Sequence, residues 1–123
     1  VGLKLENTTL DLLGTAYSME SVDLYPPTLE SFGIETAIPS PEHRQAIQAH
    51  TFDELIQGEV TDVCRQTFAD AIRALIADGA DGIVLACTEH ALAVAPSDWD
   101  VPIIDSTQAH IEAIFDAAVA SQP

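Results

Sequence analysis

The sequence predicts an α/β fold in which a four-stranded parallel sheet is flanked by helices on both faces. Three observations lead to this prediction: short apolar runs alternate with helix-like segments, Gly or Pro separates many of them, and the run at residues 83–86 contains no polar residue. Such a continuous apolar run is typical of a strand covered on both faces. Strands joined through helices pair in parallel, so ligand-binding turns are expected at their carboxyl ends.

Apolar runs and prolines define the first elements. A strand is predicted at residues 10–13. A helix over residues 18–32 follows, and Pro26 and Pro27 must break or restart it. The next apolar run, residues 34–38, predicts the second strand.

The second helix has recognisable start and stop signals. Ser40 can cap it, and Pro41 suits its first position. The pattern continues to about residue 57, where Gly58 ends it.

A buried stripe at helical spacing defines the third helix, which ends before Gly79. The stripe consists of Cys64, Phe68, Ala71, Ile72 and Leu75. The remaining elements are a strand at residues 83–86, a short helix after residue 88, a loop at 96–100, a strand at 102–104 and a last helix from about 106.

Composition limits the classes of function. The 123 residues contain 20 acidic and 4 basic side chains, a formal charge of −16, which excludes unaided nucleic-acid binding. With 47% hydrophobic residues the chain is expected to fold, as one domain over residues 1–123. The acidity suits either an ordinary acidic bacterial protein or adaptation to high salt.

The sequence also predicts location and redox state. No apolar run approaches the length of a membrane span, and the first residues lack the basic start and apolar stretch of a signal peptide, so a cytoplasmic protein without membrane contact is expected. Cys64 and Cys87 have no metal-ligand spacing and are expected as free thiols. His43 and His50 lack the HExxH spacing and are predicted at the surface, so no metal site is predicted.

Three polar clusters fall at predicted strand ends, at residues 14–18, 87–90 and 105–107. Cys87 is the most informative residue because it lies between a buried strand and a predicted helix start, where the helix dipole favours the thiolate. A modestly lowered pKa would let this thiol take up and return a proton near neutral pH.

Four stretches, read together, resemble the aspartate racemase branch of the aspartate/glutamate (hydantoin) racemase superfamily. They are residues 12–20, 52–55, 79–89 and 104–110. Each alone is a weak signal, but their order is specific. The resemblance covers nearly the whole chain and corresponds to the second half of a family member.

The resemblance implies a cofactor-independent enzyme with two similar α/β halves, each supplying one cysteine, and an amino acid held between the two thiols. It identifies Cys87 as the second acid/base cysteine, with Thr88 and Glu89 as substrate-contacting neighbours. It also assigns Thr15 and Ser18 to the turn that holds a substrate carboxylate. Ser18 stands where threonine is usual, which keeps the hydroxyl. The half that carries the first cysteine is absent from this chain.

Each candidate also has a purely structural interpretation. Thr15 and Ser18 suit helix caps equally well, and Glu89 suits a first-turn acid that complements the helix dipole. Cys64, on the buried stripe, is predicted to pack in the core, and His90 to be a solvated helix residue. The arginines Arg44, Arg65 and Arg73 are expected on helices away from the strand-end turns. His110 is expected to be structural.

The leading functional hypothesis is an amino-acid racemase acting on a small dicarboxylic amino acid such as aspartate. The alternatives are a non-catalytic carboxylate-binding or assembly domain, and a one-thiol relative such as a decarboxylase. The last helix carries an apolar stripe that would lack cover without the first half, so we expect self-association or a repacked helix. The stripe consists of Ile111, Ile114, Phe115, Ala118 and Val119.

Overall fold

A computed structural model describes residues 8–121 of the chain. The strands in this range are β1 (Thr8–Leu13), β2 (Ile34–Glu35), β3 (Gly82–Leu85) and β4 (Ile103–Asp105). The helices are α1 (Ala16–Glu20), α2 (Tyr25–Ser31), α3 (Pro41–Asp53), α4 (Asp62–Ala77) and α5 (Ser106–Ala120). Short 3₁₀ helices occupy Leu55–Gln57, His90–Leu92 and Pro96–Asp98.

The four strands form one parallel sheet in the order β2-β1-β3-β4. Its register aligns Leu13 of β1 with Leu85 of β3, and Leu85 with Asp105 of β4. Three strands therefore end at the same level, and the turns that follow them lie side by side. The predicted α/β class, with a four-stranded parallel sheet flanked by helices, is confirmed.

Strand β2 is shorter than predicted because the Asp11 side chain replaces part of the backbone pairing between β1 and the segment after Glu35. Asp11 lies on β1 with 2% of its surface exposed, and its Oδ1 accepts a hydrogen bond from the Ala37 backbone N–H at 3.0 Å. The Leu12 N–H donates to the Ala37 carbonyl at 2.9 Å. The segment after Glu35 thus stays beside β1 without forming a regular ladder.

Two predicted helices are divided at their turn residues. The segment predicted as one helix over residues 18–32 forms α1 and α2, and Pro26 and Pro27 lie in the first turn of α2, where proline is tolerated. The helix predicted to run to residue 57 leaves α-geometry after Asp53, and Gly58 ends the following 3₁₀ turn with φ of +81°. Ser40 caps α3 as predicted, by accepting a hydrogen bond from the His43 N–H.

The main core lies between one face of the sheet and helices α3 and α4. Leu13, Ile83 and Leu85 point to this side, and the predicted α4 stripe is fully included. Cys64 is a core residue, as predicted, with 0% of its surface exposed. Alternate residues such as Leu12 and Val84 are also buried, so both faces of the sheet are covered.

Helix α5 extends from the carboxyl end of β4 with its apolar side uncovered. Within residues 8–121, Ile111 and Ile114 are each 55% exposed and Phe115 is 65% exposed. From Gln108 onward no α5 residue in the described range is buried. The predicted lack of cover on this stripe is confirmed.

No helix within residues 8–121 is long and apolar enough to cross a bilayer. The expectation about a signal peptide concerns the first residues, and residues 1–7 lie outside the described range.

His90 is a core residue, which corrects the prediction of a solvated histidine. Its ring is 0% exposed and meets the edge of Phe68 at a centroid distance of 4.7 Å. The Thr51 hydroxyl donates to the Ile47 carbonyl, so its oxygen accepts from His90 Nε2 at 2.9 Å. Burial lowers the pKa of His90 to about 4, because a charged imidazolium would lose its hydration there.

This burial predicts an acid-sensitive contribution to folding stability. Above pH 6.5 His90 is neutral in both the folded and unfolded chain, so its contribution is complete. As pH falls from 6.5 toward 4, His90 binds a proton in the unfolded chain but not in the folded chain. The free energy of unfolding therefore decreases by about 3 kcal/mol. We expect the free energy of urea unfolding to fall over this range.

The control is a His90→Gln variant measured at the same pH values, because the many carboxylates titrate in both proteins and cancel in the comparison. The difference in unfolding free energy between the two proteins should shrink as pH falls. Parallel pH profiles would contradict the assignment of a neutral, buried imidazole.

Candidate active site

The turns after β1, β3 and β4 are joined by hydrogen bonds at the carboxyl edge of the sheet. The Ala86 N–H donates to the Leu13 carbonyl at 2.7 Å. The Ser18 hydroxyl donates to the Ala86 carbonyl at 3.1 Å, and the Ser106 hydroxyl to the Leu85 carbonyl at 2.7 Å. The three predicted polar clusters therefore converge around the segment that carries Cys87.

The first two turns approach each other closely at Gly14. A Cβ atom there would lie 3.0 Å from the Ser18 Cβ and 3.3 Å from the Ala86 Cβ, so a larger residue would force these neighbours to shift by a few tenths of an ångström. Gly14 thus keeps the Thr15–Ser18 turn beside Cys87.

Cys87, Thr88 and Glu89 form one compact polar group. The half-buried Cys87 thiol donates to Glu89 Oε2 at 3.3 Å, and the Thr88 hydroxyl donates to the same oxygen at 2.5 Å. These two hydrogen bonds stabilise the carboxylate and lower the pKa of Glu89. Glu89 is therefore an anion that holds the thiol in its protonated form.

The prediction of a thiolate at Cys87 is wrong for this chain. Burial raises the pKa of the Cys87 thiol, and the hydrogen bond to Glu89 and its negative charge raise it further, although nearby backbone N–H groups oppose this. The predicted helix after Cys87 is a single 3₁₀ turn at His90–Leu92, which has little dipole to offer. The Cys87 thiol is therefore protonated and can act as a proton donor.

The two hydroxyls of the first turn are in different situations. Thr15 occupies the N-cap position of α1, but its side chain makes no capping hydrogen bond. Ser18 donates its proton to Ala86, so its oxygen can only accept further hydrogen bonds, which does not suit the predicted contact with a substrate carboxylate. The helix-cap interpretation is wrong for the side chains of both residues.

Sequence reasoning missed Arg44, which was predicted to lie away from the strand-end turns. Its guanidinium donates to the Pro39 carbonyl at 2.7 Å and to Glu20 at 3.4 Å. It lines a cleft of about 310 Å³ that also includes Ala16 and Gln48. The pairing of Arg44 with Glu20 was missed because it joins two helices, α1 and α3, that are remote in sequence.

Helix α3 contacts the turn after β1 and the turn that carries Cys87. Gln48 Oε1 accepts a hydrogen bond from the Ala16 N–H at 2.8 Å, next to Thr15. Three residues further, Thr51 bonds His90, which follows Glu89. The other arginines in the described range, Arg65 and Arg73, pair with acids on their own helix, α4.

A second polar group, which the sequence did not predict, lies where α3 ends and α4 begins. One ligand atom each from His50, Glu54 and Cys64 lies within 4.8 Å of the others. His50 was predicted at the surface, but its side chain is only 18% exposed. His43 is half-buried rather than fully exposed, whereas His110 is exposed on α5.

Comparisons with known proteins agree with this architecture. The family model for Asp/Glu/Hydantoin racemase matches residues 3–114. The chain is 36% identical to a protein from Yersinia pestis assigned as an Asp/Glu racemase, with a TM-score of 0.84 over 90% of this chain and 48% of that one. An aspartate racemase homologue from Pyrococcus horikoshii OT3 is 28% identical, with a TM-score of 0.80 and the same coverage.

Picrophilus torridus aspartate racemase is 26% identical, with a TM-score of 0.69 over 90% of this chain and 45% of that protein. The chain thus spans about half the length of these relatives. The match to the family model extends over most of the chain and includes the strand-end turns and Cys87. The chain belongs to the Asp/Glu/Hydantoin racemase family.

Proposed function

We propose that this chain is one α/β half of an amino-acid racemase and supplies Cys87 as one of two acid/base thiols. The observation that carries the proposal is the Cys87 thiol hydrogen-bonded to Glu89 at the convergence of three strand-end turns. The substrate class is a small dicarboxylic amino acid such as aspartate, and no cofactor takes part.

In the proposed reaction, a thiolate on one face of the substrate removes the α-proton, and the C–H electron pair stays on the α-carbon as a carbanion. Cys87, protonated as its raised pKa favours, delivers its own proton to the opposite face and becomes a thiolate. The first thiol then holds the proton that left the substrate. For the reverse reaction the two thiols exchange roles.

The neighbouring groups suit binding of an amino acid. Thr15, whose hydroxyl is not engaged in capping, is available to donate to the substrate carboxylate. Ser18 and Glu89 can accept hydrogen bonds from the substrate ammonium, and Thr88 fixes Glu89. Arg44 lines the adjoining cleft together with its partner Glu20, and we propose that it exchanges this partner for a second substrate carboxylate.

The second candidate function is a carboxylate-binding or assembly domain without catalysis, and the exposed α5 favours it. Helix α5 presents Ile114 and Phe115 to solvent, which is typical of a surface that packs on another unit. We propose that the first half, or a second copy of this chain, covers it. A one-thiol decarboxylase-like activity would use the same Cys87 without an opposite base.

Replacing Cys87 with Ser tests the catalytic role in a protein that contains both halves. We expect racemisation of aspartate to fall by at least about 1000-fold, because a serine hydroxyl has a far higher pKa than a thiol and cannot exchange the α-proton. Circular dichroism would verify that the fold is retained. Turnover close to wild type in a folded variant would refute the role of Cys87.

Replacing Glu89 with Gln in the 123-residue chain tests whether Glu89 raises the pKa of the Cys87 thiol. The substitution removes the charge that helps to raise the pKa of Cys87, so alkylation by iodoacetamide should become rapid at a lower pH. The pH profile of the alkylation rate is the measurement, with Cys87→Ser as the control that identifies the reacting thiol. An unchanged or upward-shifted profile would contradict the proposed pairing.

The isolated chain should not racemise aspartate, because one thiol serves only one face of the substrate. Cys64 cannot act as the second base, since it is buried in the core between the sheet and α4. Incubation of each aspartate enantiomer in deuterated water, followed by chiral chromatography, checks this. Inversion that is lost in Cys87→Ser would overturn the prediction and indicate a site shared between two copies.

A further inference from the structure

The cluster formed by His50, Glu54 and Cys64 is separate from the proposed racemase chemistry. His50 lies in the last turns of α3, Glu54 directly follows that helix, and Cys64 lies in the first turn of α4. The imidazole and carboxylate are partly exposed, at 18% and 21%, whereas Cys64 is fully buried. The sulfur is thus the most deeply buried of the three ligand groups.

Two threonines orient the ligand atoms of this cluster. The Thr67 hydroxyl lies 2.9 Å from the Val63 carbonyl and 3.1 Å from His50 Nε2. When Thr67 donates to Val63, its oxygen can accept a proton held on Nε2, and His50 Nδ1 then presents its lone pair to the carboxylate. The Thr61 hydroxyl likewise donates to Glu54 Oε2 at 2.7 Å and leaves Oε1 facing the ring.

Nδ1 of His50 and Oε1 of Glu54 face each other at 2.7 Å. In one tautomer of the neutral ring, a proton on Nδ1 joins the two atoms. In the other, with the proton on Nε2, both atoms present lone pairs to the space that a metal ion would occupy. The nearby Cys64 sulfur supplies a third ligand that a proton does not need but a soft metal would use.

We propose that His50, Glu54 and Cys64 bind one Zn²⁺ ion, with a water molecule as the fourth ligand on the exposed side. Nitrogen, oxygen and sulfur ligands in tetrahedral arrangement around zinc lie about 3.3–3.8 Å apart. The present separations, from 2.7 Å to at most 4.8 Å, need only small side-chain shifts to reach this geometry. Hydrogen bonds that fix the remaining ligand atoms are typical of zinc sites.

Binding involves a simple proton balance. Burial and the Glu54 charge raise the pKa of the Cys64 thiol, so the metal-free cysteine is protonated. Zinc forms a bond to the sulfur, and the thiol proton leaves to the buffer. The imidazole keeps its single proton on Nε2 and binds the ion through Nδ1. The bound ion then joins the end of α3 to the start of α4.

Titration of the metal-free, reduced 123-residue chain with Co²⁺ tests the proposal directly. A thiolate bound to Co²⁺ absorbs strongly in the near ultraviolet, and we expect this band to saturate at one ion per chain and to disappear on addition of Zn²⁺. Cys64→Ala should abolish the band, whereas Cys87→Ala should retain it. His50→Gln should weaken Co²⁺ binding by at least about tenfold, the effect that loss of even an orienting partner has at metal sites.

His43→Gln is the matched control, because it changes another histidine on α3 and should bind Co²⁺ as the wild type does. Zn²⁺ should also raise the melting temperature of the wild type but not that of His50→Gln, whose partly exposed side chain makes this variant easier to fold than Cys64→Ala. Absence of the band in the wild type, its persistence in Cys64→Ala, or its loss in Cys87→Ala would overturn the site. None of these measurements depends on racemase activity.

Discussion

Strands β1, β3 and β4 end at the same level of the sheet, and the candidate site depends on this alignment. Parallel pairing aligns Leu13, Leu85 and Asp105, so that three turns emerge from one edge. Backbone and hydroxyl groups then lock these turns together through the carbonyls of Leu13, Leu85 and Ala86. A shift of one residue in this register would move the Cys87 turn away from both of its neighbours.

The chemistry of Cys87 follows from what surrounds it at this edge. The strand end buries the thiol partly, and Glu89 accepts its proton in a hydrogen bond. Both effects keep the proton on sulfur, which suits the role of a proton donor to a carbanion. The chain spans about half the length of the relatives it matches. One apolar side of α5 is exposed within the described residues, and such a helix face is typical of a surface that packs against another one.

Helix α3 connects the candidate site to the rest of the molecule. Gln48 bonds the turn after β1, and Thr51 bonds His90 in the turn that carries Cys87. His50 and Glu54 face the start of α4. Two histidines in this region share one arrangement, in which Nε2 of the ring contacts a threonine hydroxyl that also bonds a carbonyl of its own helix. His90 is thereby held in the core as a neutral ring, whereas His50 is directed toward a carboxylate at the surface. The two histidines differ because the His90 ring is fully buried, whereas the His50 ring is partly exposed.

The sequence by itself determined the order of strands and helices, the α4 stripe and the three polar turns, because periodicity, prolines, glycines and caps act over a few neighbouring residues. It also determined that Cys87 follows a buried strand. Only the tertiary structure decided that Asp11 shortens β2, that Arg44 pairs with Glu20 of α1 and that His90 is buried. The protonation of Cys87 and the meeting of His50 with Cys64 were decided there too, since pKa values and ligand geometry depend on distances between segments remote in sequence.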